Sequence, residues 1–74
     1  MQHFFFNLRS DGVLVKDYVG ETLGDLDEAI AQAVDKAQHM RDAEKSGANV
    51  EGRQIEICSE TGLTVQVIAV KPLG

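Results

Sequence analysis

Apolar and polar positions alternate with a period of two near both ends of the chain and recur at helical spacing in the middle. Residues 3–9 read His-Phe-Phe-Phe-Asn-Leu-Arg. In an extended chain Phe4, Phe6 and Leu8 share one side, and His3, Phe5, Asn7 and Arg9 share the other. Aromatic content and alternation predict a strand. Ser10-Asp11-Gly12 follows, and Asp-Gly favours a hairpin because glycine takes positive φ without steric cost. Val13-Leu14-Val15-Lys16 is the predicted return strand, fading near Tyr18-Val19. Gly20 to Gly24 reads as a loop.

Asp25-Leu26-Asp27-Glu28 fits a capping box. Asp25 can accept from the amide three residues on, and Glu28 can reach back. The predicted helix runs from Leu26 to Ser46, with Leu26, Ala29, Ile30, Ala33, Val34, Ala37, Met40 and Ala43 as its apolar stripe. Gly47 suits the position after its last turn, and Lys45 suits the negative end of the helix dipole. Residues 48–52 form a loop anchored by Val50. Alternation resumes over residues 53–59, with Ile55 and Ile57 on one side and Gln54, Glu56 and Cys58 on the other. Glu60-Thr61-Gly62 predicts a second turn, with Gly62 in a left-handed or bulge position. Thr64 to Lys71 is the last strand, with Val65, Val67 and Ala69 against Gln66, Ile68 and Val70, and Pro72 ends it.

These elements predict one α+β domain over residues 1–74 with the order ββαββ. One long helix covers one face of a four-stranded, mainly antiparallel sheet. A right-handed crossover gives the strand order 2-1-3-4, with 2-1-4-3 as the alternative. The expected covered face holds Phe4, Phe6, Leu8, Val13, Val15, Ile55, Ile57, Val65 and Val67. The opposite face then carries Phe5, Leu14, Tyr18, Cys58, Ile68 and Val70 among polar residues. A lone domain rarely exposes a large apolar patch. That face is therefore the expected interaction surface, most simply for a second copy packed sheet to sheet about a two-fold axis.

Composition narrows the functional classes. A chain of 74 residues forms a small core, burying ~60% of its unfolded surface. One cysteine excludes an intrachain disulfide, and one cysteine with two histidines cannot build a zinc site without carboxylates. No metal, cofactor or small-molecule ligand is implied. A net charge of −5 disfavours binding to phosphate backbones and anionic lipid. No stretch approaches the ~18 apolar residues of a membrane span. The first residues lack the basic and apolar regions of a signal peptide. A cytoplasmic protein with Cys58 reduced is the expectation.

Each candidate constellation meets a plainer account. Cys58 with His3 or His39 suggests a nucleophile pair, but no flanking feature lowers the thiol pKa, and a packed strand cysteine fits better. Asp35 and His39 supply two ligands at helical spacing, which reads as a solvated pair. Gly20 and Gly24 before a helix suggest a phosphate loop, yet Glu21, Asp25, Asp27 and Glu28 fill that end with negative charge. Phe4, Phe5 and Phe6 suggest a base-stacking platform, but alternation leaves Phe5 alone on the open face. Arg53 is expected to pair with Glu51 or Asp17.

The opening His3-Phe4-Phe5-Phe6-Asn7 resembles the aromatic start of a family of short uncharacterised proteins found in rhizobia and other α-proteobacteria, a domain of unknown function. The resemblance continues through Asp17-Tyr18-Val19-Gly20-Glu21-Thr22-Leu23-Gly24-Asp25-Leu26, Ala29 and Ala33, then Gly52-Arg53-Gln54-Ile55-Glu56-Ile57 and Gly62. It covers nearly the whole chain. Departures are His3 for a basic residue, Asn7 for Asp and Gly24 for Pro. The resemblance implies the fold and brings no activity with it. The expected function is a non-enzymatic protein-interaction module, a homodimer or a binder of another protein. The alternative is an acidic inhibitor or antitoxin-like protein that presents Asp25, Asp27, Glu28 and Asp35 to a basic partner.

Overall fold

The nine-residue strand β1 (Gln2–Ser10) is the centre of the sheet in the computed structural model, which describes residues 1–43 and 52–70. The hairpin to β2 (Val13–Val15) turns on Asp11 and Gly12, whose φ angles of 48° and 81° are the pair of positive values a type I′ turn needs. After β2 the chain forms β3 (Glu21–Leu23), helix α1 (Leu26–Ala43), β4 (Arg53–Cys58) and β5 (Thr64–Ala69).

All pairings are antiparallel, and the main order is β2-β1-β4-β5, with β3 also on β1. For the four predicted strands this is the first of the two expected orders. The fifth strand corrects the expected four. β2 pairs only with the far half of β1, placing Leu8 opposite Val15 and Ser10 opposite Val13. The near half of that edge takes β3, with Gln2 opposite Leu23 and Phe4 opposite Glu21. Glu21-Thr22-Leu23 is too short to show alternation in sequence, so an available backbone edge, not a hydrophobic pattern, makes it a strand.

The helix begins as predicted. Glu28 N–H donates to Asp25 Oδ1 at 3.0 Å, and Glu28 Oε2 accepts from Gly24 N–H at 2.6 Å, one residue beyond the usual reach-back. Ala29, Ala33 and Ala37 are its buried residues. Their small side chains bring the helix close to Ile55 and Ile57, the largest fully buried side chains. Phe4 and Val70 complete the buried core, and Phe6, Leu8, Leu23, Leu26, Ile30, Met40 and Ile68 pack around it. Burial of this layer is the main stabilising term.

Two expectations about faces are corrected. Ile68 and Val70 lie beneath the helix, because β5 pairs with Ile68 opposite Ile55 and Val70 N–H on Arg53 O. Val65 and Val67 are exposed in consequence. Either alternation of β5 is apolar, so only its register on β4 could choose. Val13 and Val15 keep the predicted side but stay exposed, because α1 packs on β3, β4 and β5 and β2 lies outside its footprint. The predicted helix end at Ser46, Lys45, Gly47, Val50, the pairing partner Glu51, and Lys71-Pro72 lie outside the described residues.

Replacing Ala33 by leucine should force α1 away from Ile55 and Ile57. The Ala33→Leu variant should lose about 1–3 kcal/mol of stability, read as a lower urea midpoint with an unchanged slope.

Candidate functional site

The helix-free face of the sheet forms an open concavity of about 490 Å³. Alternation along β1 sends Phe5, Asn7 and Arg9 into it, and β4 contributes Glu56 and Cys58. Leu14, Lys16, Asp17 and Tyr18 form one wall; Gly62 and Thr64 form the other.

The wall at Asp17 is held by backbone hydrogen bonds. Phe6 lies between the residues of β1 that pair with β3 and those that pair with β2, so its amide has no strand partner on that edge. Asp17 Oδ2 accepts that N–H at 3.1 Å. Asp17 Oδ1 accepts the amides of Val19 and Gly20, both at 3.0 Å. Asn7 Oδ1 in turn accepts Asp17 N–H at 2.9 Å. Burial alone would raise the Asp17 pKa, but the Gly20, Phe6 and Val19 amides and the positive charge of Lys36 outweigh it and hold the carboxyl below its usual value.

Gly20 closes this turn. Its φ is +69°, and a Cβ there would come within 2.6 Å of Phe4 O and 2.5 Å of His3 Nε2. His3 fixes the outer end. Its Nε2 donates to Val19 O at 2.8 Å, and Nδ1 lies 3.0 Å from Thr22 Oγ1. The ring also meets Phe5 edge to face at 5.0 Å between centroids. Tyr18, carried on the anchored turn, is 84% exposed.

The floor is polar at one end. Arg9 Nε pairs with Glu56 Oε2 across β1 and β4, and that hydrogen bond and charge raise the Arg9 pKa. Cys58 is buried, with Sγ 3.4 Å from Asn7 Nδ2 and 3.7 Å from Thr64 Oγ1. Its polar neighbours are thus an amide, a hydroxyl and the Glu56 carbonyl, to which Sγ donates at 4.0 Å. Both ring nitrogens of His3 are engaged elsewhere, and His39 Nδ1 donates to Asp35 O at 2.8 Å within the helix.

Of the predicted interaction residues, Phe5, Leu14, Tyr18 and Cys58 share this face, whereas Ile68 and Val70 belong to the core. Asp17 and the Arg9–Glu56 pair were not singled out as parts of a surface. The Asp17-Tyr18-Val19-Gly20 segment carried a signal, since aspartate often accepts amides two or three residues on and glycine permits the turn. The partner amide of Phe6 had none. Two of the four candidate acidic residues, Asp25 and Glu28, are engaged in capping. Asp17, one expected partner of Arg53, instead accepts backbone amides. Among the described residues no cluster of three metal-ligating side chains occurs, and no helix is long and apolar enough to cross a membrane.

Asp17→Ala should cost about 2 kcal/mol, because the Phe6 amide loses its acceptor in a part-buried setting. The lowered pKa gives the loss a pH signature. The part of the Asp17 contribution that depends on its charge is complete above the ordinary aspartate value of ~3.9 and is lost as pH falls through its lower folded value. Chemical denaturation should show the gap between wild type and Asp17→Ala narrowing in that acid range. Gly20→Ala should destabilise by about 1–3 kcal/mol at all pH values, through left-handed strain and the contact with Phe4 O, and thermal melts would show it.

The family model for DUF6894, a domain of unknown function, matches residues 3–71. No curated protein and no solved structure gives a significant match. With the match spanning almost every residue, the chain belongs to the DUF6894 family.

Proposed function

We propose that this domain is a non-enzymatic protein-interaction module that binds a partner chain through its helix-free sheet face. The carrying observation is a highly exposed aromatic on a turn held in place by four hydrogen bonds: Asp17 with Phe6, Val19 and Gly20, and His3 with Val19. Anchored aromatics beside a concave surface make effective binding hot spots, because little side-chain and loop entropy is lost on docking.

The concavity supplies the rest of such a surface. Phe5 and Leu14 give it apolar area, and Arg9 with Glu56 gives it paired polar groups at one end. With Ile68 and Val70 in the core, the surface is a bowl and not a flat apolar sheet. A bowl suits insertion of a few partner side chains better than sheet-on-sheet packing of two copies. Its mixed character also favours a protein segment over phosphate-bearing ligands.

Peptides selected from a random displayed library against the immobilised domain provide the test. The selected peptides should shift the amide resonances of Phe5, Leu14 and Tyr18. Tyr18→Ala should weaken them by tenfold or more, about 1.4 kcal/mol, while leaving the melting temperature nearly unchanged. Failure to select any binder, or peptides indifferent to Tyr18→Ala, would overturn the reading.

A further inference from the structure

We infer that the bowl selects partner segments carrying a side-chain carboxylate next to an apolar residue, with the carboxylate held between Arg9 and Lys16. The inference rests on the reading of the bowl as a partner-binding surface and names the chemistry of that partner.

Four charged side chains line the bowl: Arg9, Lys16, Asp17 and Glu56. Their formal charges cancel, but their engagement is unequal. Asp17 accepts three backbone amides. The Glu56 side chain is 14% exposed, and its Oε2 accepts from Arg9 Nε. Asn7 has both ends of its amide engaged, by Asp17 N–H and by Cys58 Sγ. Arg9 is different. A guanidinium carries five N–H donors, and this one gives only Nε to Glu56. Its two terminal nitrogens meet no acceptor among the described residues, and the side chain is 41% exposed. Lys16 is exposed and forms no ion pair among the described residues. The carboxylates of the bowl are engaged within the domain and its cations are not, so the complementary group is an anion.

The register brings the two cations together. Leu14 lies opposite Arg9, and Lys16, two residues further on, lines the same bowl. Diagonal positions of this kind lie about 7–8 Å apart, within reach of long side chains. One carboxylate can meet both, and the guanidinium fork matches its two oxygens. Phe5, Leu14 and Tyr18 receive the apolar neighbour. The carboxylate belongs to a side chain and not to a chain end. Terminal carboxylates are captured by converging backbone amides. The amides of this wall, on Phe6, Val19 and Gly20, already donate to Asp17.

Two sets of end-capped peptides test this, alike except for glutamate or glutamine at the centre, with apolar residues on both sides. Fluorescence anisotropy reads their binding. The glutamate set should bind at least about tenfold tighter. Lys16→Gln should cut that preference severalfold and leave the glutamine set nearly unchanged. Arg9→Lys keeps the charge, removes the fork and should also reduce the preference. Where Arg9→Lys loses the native circular-dichroism spectrum, Lys16→Gln decides alone, since it alters an exposed residue outside the strands. Arg41→Gln makes the same charge change on the helix and should leave the preference intact. Equal binding of the two sets, or a preference indifferent to Lys16→Gln, overturns the inference. So does a preference that Arg41→Gln abolishes equally, which would trace it to net charge. With Tyr18→Ala still weakening both sets, those outcomes leave the partner-binding reading in place. Binding by neither set also overturns the inference, and the random-library selection decides the wider reading separately.

Discussion

The Asp17 carboxylate is the contact on which the rest of this face depends. β1 is too long for either neighbour on that edge: β2 takes one half and β3 the other. A buried amide without an acceptor costs about as much as a lost hydrogen bond. The Phe6 amide falls in the gap, and Asp17 supplies the acceptor that a continuous strand would have supplied. The same carboxylate gathers the Val19 and Gly20 amides, so one side chain both completes the edge and shapes the turn. The direction of its pKa shift follows from those donors.

That contact links fold to surface. Asn7, on the open face of β1, accepts the Asp17 amide and donates to Cys58, so turn, central strand and β4 share one polar chain. His3 ties the far side of the turn to β3 through Thr22. Tyr18 is thereby presented without being packed. An exposed aromatic on a loosely held loop would lose its freedom on binding; here much of that loss occurs when the domain folds.

The other face is simpler. Alanine at Ala29, Ala33 and Ala37 brings the helix down on Ile55 and Ile57, and the larger residues close the margins. Lys36 reaches over Phe6, with its ammonium 5.5 Å from the ring centroid, and adds positive potential near Asp17. The narrow footprint of α1 explains why β2 keeps its valines exposed. It also leaves Val34 partly exposed, beside Ile68 and Ala69 of β5.

Sequence alone determined the features governed by local chemistry. Asp11-Gly12 dictated the first hairpin, Asp25 and Glu28 the start of the helix, and the alternation of Phe4, Phe6, Leu8, Ile55 and Ile57 the covered side of β1 and β4. Only tertiary structure decided the rest. β5 is apolar on both alternations, so its inward set waited on its register against Ile55. Glu21–Leu23 became a strand because β1 had an unfilled edge, and Asp17 became a structural acceptor because Phe6 lay in the remaining gap. Local propensity acts over a few residues; which backbone groups need partners is settled only when distant strands meet.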